Sequence, residues 1–160
     1  MRSLLFVPGD DERKITKALD SAADALILDL EDAVAPQRKP AAREICNAAL
    51  RSAKTTKTLF VRINALDTGN AMADLTAVVG GKPFGIVLPK CRHAGDVRRL
   101  ARELGTMEAH AGIELGRIRI LPIVTETAAS LFGLGTYAEA ASPRLYGMMW
   151  GGEDLAADIG

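Results

Sequence analysis

The chain predicts an α/β protein of the (β/α)8 TIM-barrel type, here reaching about six βα units. Three observations carry that expectation. Short, nearly continuous apolar runs (LLFV, ALIL, TLFV, GIVL, ILPIV and LYGMMW) alternate with stretches of helical periodicity, the pattern of buried parallel strands joined by helical crossovers. Each run leads into charged or polar residues: Asp10 and Asp11; Asp29, Glu31 and Asp32; Arg62 and Asn64; Lys90; Glu126; Glu153 and Asp154. Finally, the 160 residues hold about six such units, where a closed eight-unit barrel takes about 250 residues. The chain is thus expected to be one barrel domain over 1–160, lacking the C-terminal units. A doubly wound open sheet, which needs no further units, is the alternative architecture.

In chain order, LLFV gives the first strand, and Pro8 and Gly9 turn it into a helix that Asp10 or Asp11 can cap. Ile15, Ala18, Leu19 and Ala22 recur at helical spacing on that helix. The second strand spans 24–30. A helix then opens at Lys39 and Pro40, where proline is tolerated in the first turn, with Ile45, Ala48 and Ala49 inward. The third strand covers 58–63, followed by a short helix carrying Met72, Leu75 and Val79. Gly80, Gly81, Lys82 and Pro83 stop it sharply. The fourth strand covers 85–89. The clearest amphipathic helix follows, marked by Val97, Leu100, Ala101, Leu104 and Ala111. A fifth strand over 119–124, a helix over 128–134, a sixth strand over 144–150 and a helix over 154–159 complete the reading.

Composition excludes several function classes. Lys+Arg and Asp+Glu both number 20, so the formal net charge is zero, against the basic excess of a general nucleic-acid binder. Aromatic residues make up 4%, too few for extensive base stacking. The apolar run at the N-terminus is too short for a signal peptide, and no stretch approaches the ~18 apolar residues of a membrane span. Cys46 and Cys91 lack metal-ligand or CxxC spacing and read as buried free thiols. These features place the chain in a reducing cytoplasm, with neither nucleic acid nor membrane as a partner.

At the C-terminal ends of barrel strands the polar residues form one ring. Arg, Lys and several carboxylates there point to an anionic substrate and a hard metal ion. Glu126 and Asp154 follow strands directly, beside the small residues Thr125, Thr127, Gly151 and Gly152, and are the candidate metal ligands. Mg²⁺ takes only one or two protein carboxylates and leaves its remaining positions to water and substrate. The competing reading makes Glu126 and Asp154 helix caps. Arg62 can grip a carboxylate or enolate bidentately, with Asn64 to orient it; alternatively it pairs with Asp29 or Glu31. Asp29 can hold metal-bound water. Isolated buried charge is too costly for Asp29, Glu31 and Asp32 to stand unpaired, and Asp32 has Arg2, Lys39 or Arg43 to choose from. Lys90 is expected to pair charges in the ring rather than to form a Schiff base. His93 and His110 have no partner ligand.

Taken in order, RSLLFVPG, ALILDLEDAV, FVRIN, VLPK, TETA and WGGEDLAADIG resemble the citrate lyase β-subunit-like branch of the HpcH/HpaI aldolase superfamily. The resemblance runs over the whole chain, and the ordered set is specific although each motif alone is weak. It implies a (β/α)8 barrel that makes or breaks carbon–carbon bonds with Mg²⁺, acting on 3-hydroxyacyl thioesters such as citryl-CoA or malyl-CoA. By the same resemblance, Glu126 and Asp154 match metal ligands and Arg62 a substrate-binding Arg, while Asp29 lies in the acidic strand-end motif. Arg62 and Asp29 are the expected catalytic pair; Arg62, Asn64 and Lys90 are the expected substrate contacts. The resemblance also implies a CoA or acyl-carrier-protein thioester as partner and a homo-oligomer, often a trimer. Alternative functions are a 2-keto-acid aldolase releasing pyruvate and a non-catalytic remnant or binding subunit.

Overall fold

A computed structural model describes residues 1–139 and 142–160. Five strands, β1 (Leu4–Pro8), β2 (Ala25–Asp29), β3 (Thr58–Arg62), β4 (Gly85–Leu88) and β5 (Arg119–Pro122), form one parallel sheet. Between and after them lie helices α1 (Glu12–Leu19), α2 (Lys39–Ser52), α3 (Ala71–Val78), α4 (Ala94–His110), α5 (Ala128–Gly133), α6 (Thr136–Glu139) and α7 (Gly152–Ile159). Local chemistry sets several boundaries. Asp11 caps α1, accepting from the Lys14 N–H at 3.0 Å, and Pro40 sits in the first turn of α2. Ala22 falls past the end of α1. Cys46 and Cys91 are free and buried, as expected.

The strand order is β1-β2-β3-β4-β5, each strand added on the same side of the last. A doubly wound sheet reverses at a switch point; here there is none. Packing gives the same answer, because side chains alternate between the two faces of a strand. One face carries Leu26, Leu28, Val61, Ile86, Leu88 and Ile120, which pack with Ile15, Cys46, Leu75, Leu100 and Leu104 of the helices. The opposite face carries Ala25, Ile27, Phe60, Val87 and Leu121, and no helical residue joins that cluster. Helices on one face of a sequentially ordered parallel sheet are the barrel arrangement, with the second cluster as its interior. The doubly wound alternative is therefore set aside.

Further expectations need correction. On α2, Ala48 is exposed, and Ala42 and Cys46 are the buried positions, because the inward face runs one residue out of step with the expected one. The sixth strand, over 144–150, is reduced to two isolated parallel bridges, Ile120↔Leu145 and Ile123↔Met149. The segment does run along β5, with Tyr146 N–H donating to Ile120 O at 2.8 Å and Val124 N–H to Met149 O at 3.0 Å. Pro122 has no N–H to offer between those bonds, so the ladder breaks there. On α4, Ala111 is not part of the inward face but lies exposed beyond the helix end. The inward position one turn after Leu104 is Glu108, fully buried. Its carboxylate accepts from Arg144 through NH1 at 2.9 Å and NH2 at 2.6 Å, and from the Gly116 and Ile118 N–H groups at 2.8 Å each. This fork ties the segment after residue 142 to the body of the protein. No helix among the described residues is long and apolar enough to cross a membrane.

Candidate active site

The period-2 alternation of the strands assembles the site's first pair. Ala25 and Ile27 face the barrel interior, so Asp29 continues that row; Phe60 faces inward, so Arg62 does too. Asp29 and Arg62 are also register partners across β2 and β3. Their side chains meet as a fork, with Arg62 Nε and NH2 donating to the two Asp29 oxygens at 2.7 Å each. Asp29 is fixed further by the N–H groups of Glu31 and Ala33 at 2.9 and 3.0 Å. Burial works against the Arg62 charge, but the hydrogen bonds to Asp29 outweigh it and hold its pKa above the usual arginine value. The remaining terminal nitrogen, NH1, faces Glu31 at 3.1 Å and Asp32 at 3.6 Å. The Phe6 ring lies 4.9 Å from the guanidinium carbon, where the ring quadrupole favours a cation.

A second cluster stands beside the first. The bond between Val124 and Met149 and that from Gly151 N–H to Thr125 Oγ1 at 2.8 Å bring the segment 149–154 alongside 123–126. Glu126 is buried and Asp154 half-exposed. Lys90 joins them: its backbone N–H donates to Glu126 Oε2 at 2.5 Å, and its ammonium lies 2.5 Å from Asp154 Oδ1 and 3.9 Å from Glu126 Oε1. Neither carboxylate is a helix cap. Thr127 caps α5, accepting from Ser130 N–H, and the residue preceding α7 is Gly151. Gly151 is required there, since a Cβ would stand 2.5 Å from Glu126 Cγ and 2.9 Å from Ile123 Cγ2. A cleft of about 220 Å³ opens between the two clusters, bordered by Phe6, Arg62, Glu126, Trp150, Gly151 and Asp154.

Five carboxylates (Asp29, Glu31, Asp32, Glu126 and Asp154) thus surround two cations, Arg62 and Lys90. Burial shifts the inner acids toward their neutral forms. Burial raises Glu31 to about 8, against the pull of Arg62, and burial also raises Glu126. Asp154, hydrogen-bonded by Lys90, is lowered instead. Glu31 Oε2 is the one buried side-chain nitrogen or oxygen among the described residues without a hydrogen-bond partner. Such a site can accept a hard cation. Its ligand atoms are all carboxylate oxygens, and Gly151 leaves space beside Glu126. Among the described residues no three His, Cys, Asp or Glu side chains converge at ligand spacing, so Glu126 and Asp154 would leave most positions of an octahedral ion to water and substrate, as Mg²⁺ prefers.

Of the residues singled out from sequence, Arg62, Asp29, Lys90, Glu126 and Asp154 gather around this mouth. Asn64 does not join them as a free contact: its Nδ2 donates to Leu30 O at 2.9 Å and to Asp74 Oδ2 at 2.6 Å. Asp74 is fully buried and also accepts from Arg43 Nε at 2.7 Å. Asn64 therefore braces β3 against the chain after β2 and against α3. Asp32 pairs with Arg62 and Lys90, not with Arg2, Lys39 or Arg43. Sequence reasoning also missed the main-chain hold of Lys90 on Glu126, which no side-chain pattern encodes.

The family profile described as HpcH/HpaI aldolase/citrate lyase matches residues 2–160. The (3S)-malyl-CoA thioesterase of Cereibacter sphaeroides (strain KD131 / KCTC 12085) is 37% identical over 160 residues, covering 99% of this chain and 51% of that protein. Citrate lyase subunit beta of Escherichia coli (strain K12) is 36% identical over 162 residues, covering 99% and 52%. The chain spans about half the length of the curated relatives it matches. Among solved structures, protein CitE from Mycobacterium tuberculosis in complex with magnesium and acetoacetate superposes with a TM-score of 0.77 at 36% identity, over 98% of this chain and 56% of that one. The same protein in complex with magnesium, acetoacetate and coenzyme A gives 0.74 at 34%, over 98% and 50%.

Proposed function

The chain belongs to the HpcH/HpaI aldolase/citrate lyase family, and from that premise we propose that it serves a Mg²⁺-dependent carbon–carbon lyase acting on a 3-hydroxyacyl thioester through an enolate. The observation that carries the reading is the facing of the Asp29–Arg62 fork and the Glu126–Lys90–Asp154 cluster across one small cleft. Residues 1–160 then belong to one domain of barrel type. Magnesium in the CitE complexes supports Mg²⁺ here, with Glu126 and Asp154 to hold it. When bound, the ion would supply Lewis-acid polarisation of substrate oxygens.

The chain's own residues contribute the rest. Asp29 fixes Arg62 with two hydrogen bonds, so the guanidinium is oriented before substrate arrives. Its NH1 edge is the donor for negative charge that grows on the departing acyl fragment, where preorganised electrostatics act most strongly. The guanidinium lies over the Phe6 ring, whose face favours its positive charge. Lys90 offers a second positive charge to a substrate carboxylate. Coenzyme A in one CitE complex supports a CoA carrier over an acyl carrier protein. The half-exposed apolar side chains of Leu4, Leu5 and Phe6 and the open Met148 and Trp150 support a homo-oligomer.

Relatives named (3S)-malyl-CoA thioesterase favour a second reading, hydrolysis of the thioester. One assay separates the two. Malyl-CoA or citryl-CoA is incubated with the protein and Mg²⁺: lyase chemistry releases a carbonyl fragment and a shorter acyl-CoA, hydrolysis releases free CoA. Glu126→Gln abolishes the lyase reaction. Turnover that persists in EDTA, or in Glu126→Gln, refutes the assignment, and cleavage of 4-hydroxy-2-keto acids in preference to the thioesters moves the protein to the pyruvate-releasing aldolases.

A further inference from the structure

Lys90 has two properties that the proposed chemistry leaves unexplained. Its backbone is left-handed, with φ of 50°, a region that a residue bearing a Cβ rarely adopts. The other such non-glycine residue among the described ones, Lys82, closes the 3₁₀ turn of Val79–Gly81, a usual place for that conformation. Lys90 closes no helix: it lies in the turn two residues past the end of β4. Its conformation instead lets one residue hold two carboxylates that are distant in sequence, Glu126 through its N–H and Asp154 through its ammonium.

We propose that the Lys90 ammonium is an internal counter-cation of the Glu126–Asp154 pair, gathering the two carboxylates in the metal-free protein and yielding its place when a divalent cation binds. The proposal rests on the reading that Glu126 and Asp154 are the metal ligands. The two hydrogen-bonding roles of Lys90 are separable. The main-chain N–H fixes Glu126 whatever the side chain is, while the ammonium, on a flexible four-carbon stem, is free to leave. It has somewhere to go: Asp32 Oδ2 lies 3.9 Å away on the solvent side, with its side chain 58% exposed. A short swing toward Asp32 keeps the lysine paired and opens Asp154. Without any cation the buried Glu126 and its neighbour Asp154 would repel each other, so the lysine keeps the site formed at the cost of competing for it.

The test uses the whole chain and Mg²⁺ itself. Mg²⁺ binding is measured by calorimetry, and melting temperature in EDTA and in saturating Mg²⁺, for wild type, Lys90→Met, Lys90→Gln and Lys90→Arg. Removing the ammonium is expected to lower the melting temperature in EDTA and to tighten Mg²⁺ binding about fivefold, the loss of one partly exposed competing ion pair; the Mg²⁺-induced rise in melting temperature then exceeds that of wild type. Lys90→Arg stays within about twofold of wild type. A merely structural lysine would give the first effect and not the second. Mg²⁺ affinity that is unchanged or weaker in both Lys90→Met and Lys90→Gln, while Glu126→Gln abolishes binding, overturns this proposal alone. Wild type that does not bind Mg²⁺, or Glu126→Gln that binds it as wild type does, overturns the metal reading and this proposal with it.

Discussion

Replacing Glu31 by Gln should remove a pH dependence of stability and little else. Glu31 is buried beside Arg62, and burial raises its carboxyl from 4.5 to about 8. Below the unfolded value, both states carry the proton and the group is silent. Between 4.5 and about 8 the unfolded chain releases the proton while the folded chain keeps it; the folded state then binds more protons, so its stability falls as pH rises. At about 1.4 kcal/mol per pH unit the full displacement corresponds to at most roughly 5 kcal/mol, and relaxation around the site reduces this to about 2 kcal/mol. Glutamine keeps the shape and cannot ionise. Urea denaturation in EDTA from pH 5 to 9 should therefore show wild-type stability declining toward pH 8, and a flatter profile for Glu31→Gln, with the two curves closest at pH 5. Parallel profiles across that range would refute the assignment of a retained proton to Glu31.

Gly151→Ala brings a Cβ to 2.5 Å from Glu126 Cγ and 2.9 Å from Ile123 Cγ2; displacing Glu126 should weaken Mg²⁺ binding at least about tenfold, and the overpacking should cost about 1–3 kcal/mol in urea titration. Arg62→Lys keeps the charge but loses the two-pronged hold on Asp29, so lyase turnover should fall by about 10²-fold or more while the far-ultraviolet spectrum stays unchanged. Glu108→Ala strands the buried Arg144 guanidinium and should destabilise the fold by about 3–5 kcal/mol in urea titration; a loss under 1 kcal/mol would mean that solvent reaches this pair.

The barrel architecture was legible because parallel strands buried on both faces leave continuous apolar runs, and ALIL and GIVL become fully buried strands. Where the pattern misled, a polar partner had replaced an apolar one. Glu108 stands in a core position that periodicity assigns to a hydrophobic residue, and its satisfaction by Arg144 comes from 36 residues away. Arg62 with Asp29 could be anticipated, since both end adjacent strands on the same alternation. Asn64, two residues past Arg62, invites a place at the mouth; its partners, Leu30 O and the buried Asp74, are set by tertiary packing. Nor could the sequence disclose that the run LYGMMW would follow β5 without completing a ladder, because the interruption arises at Pro122, on the opposite strand.

Because each strand of the sheet pairs with the one synthesised before it, assembly can proceed in the order of translation. Contacts between β1 and β2 close a short stretch of chain, and β3 then docks on an edge that already exists, so little loop entropy separates one step from the next. The Asp29–Arg62 fork can lock as soon as β3 has emerged, before Glu126 or Asp154 leaves the ribosome. The Arg62 half of the mouth can then form on the nascent chain, ahead of the segment that carries Glu126 and Asp154.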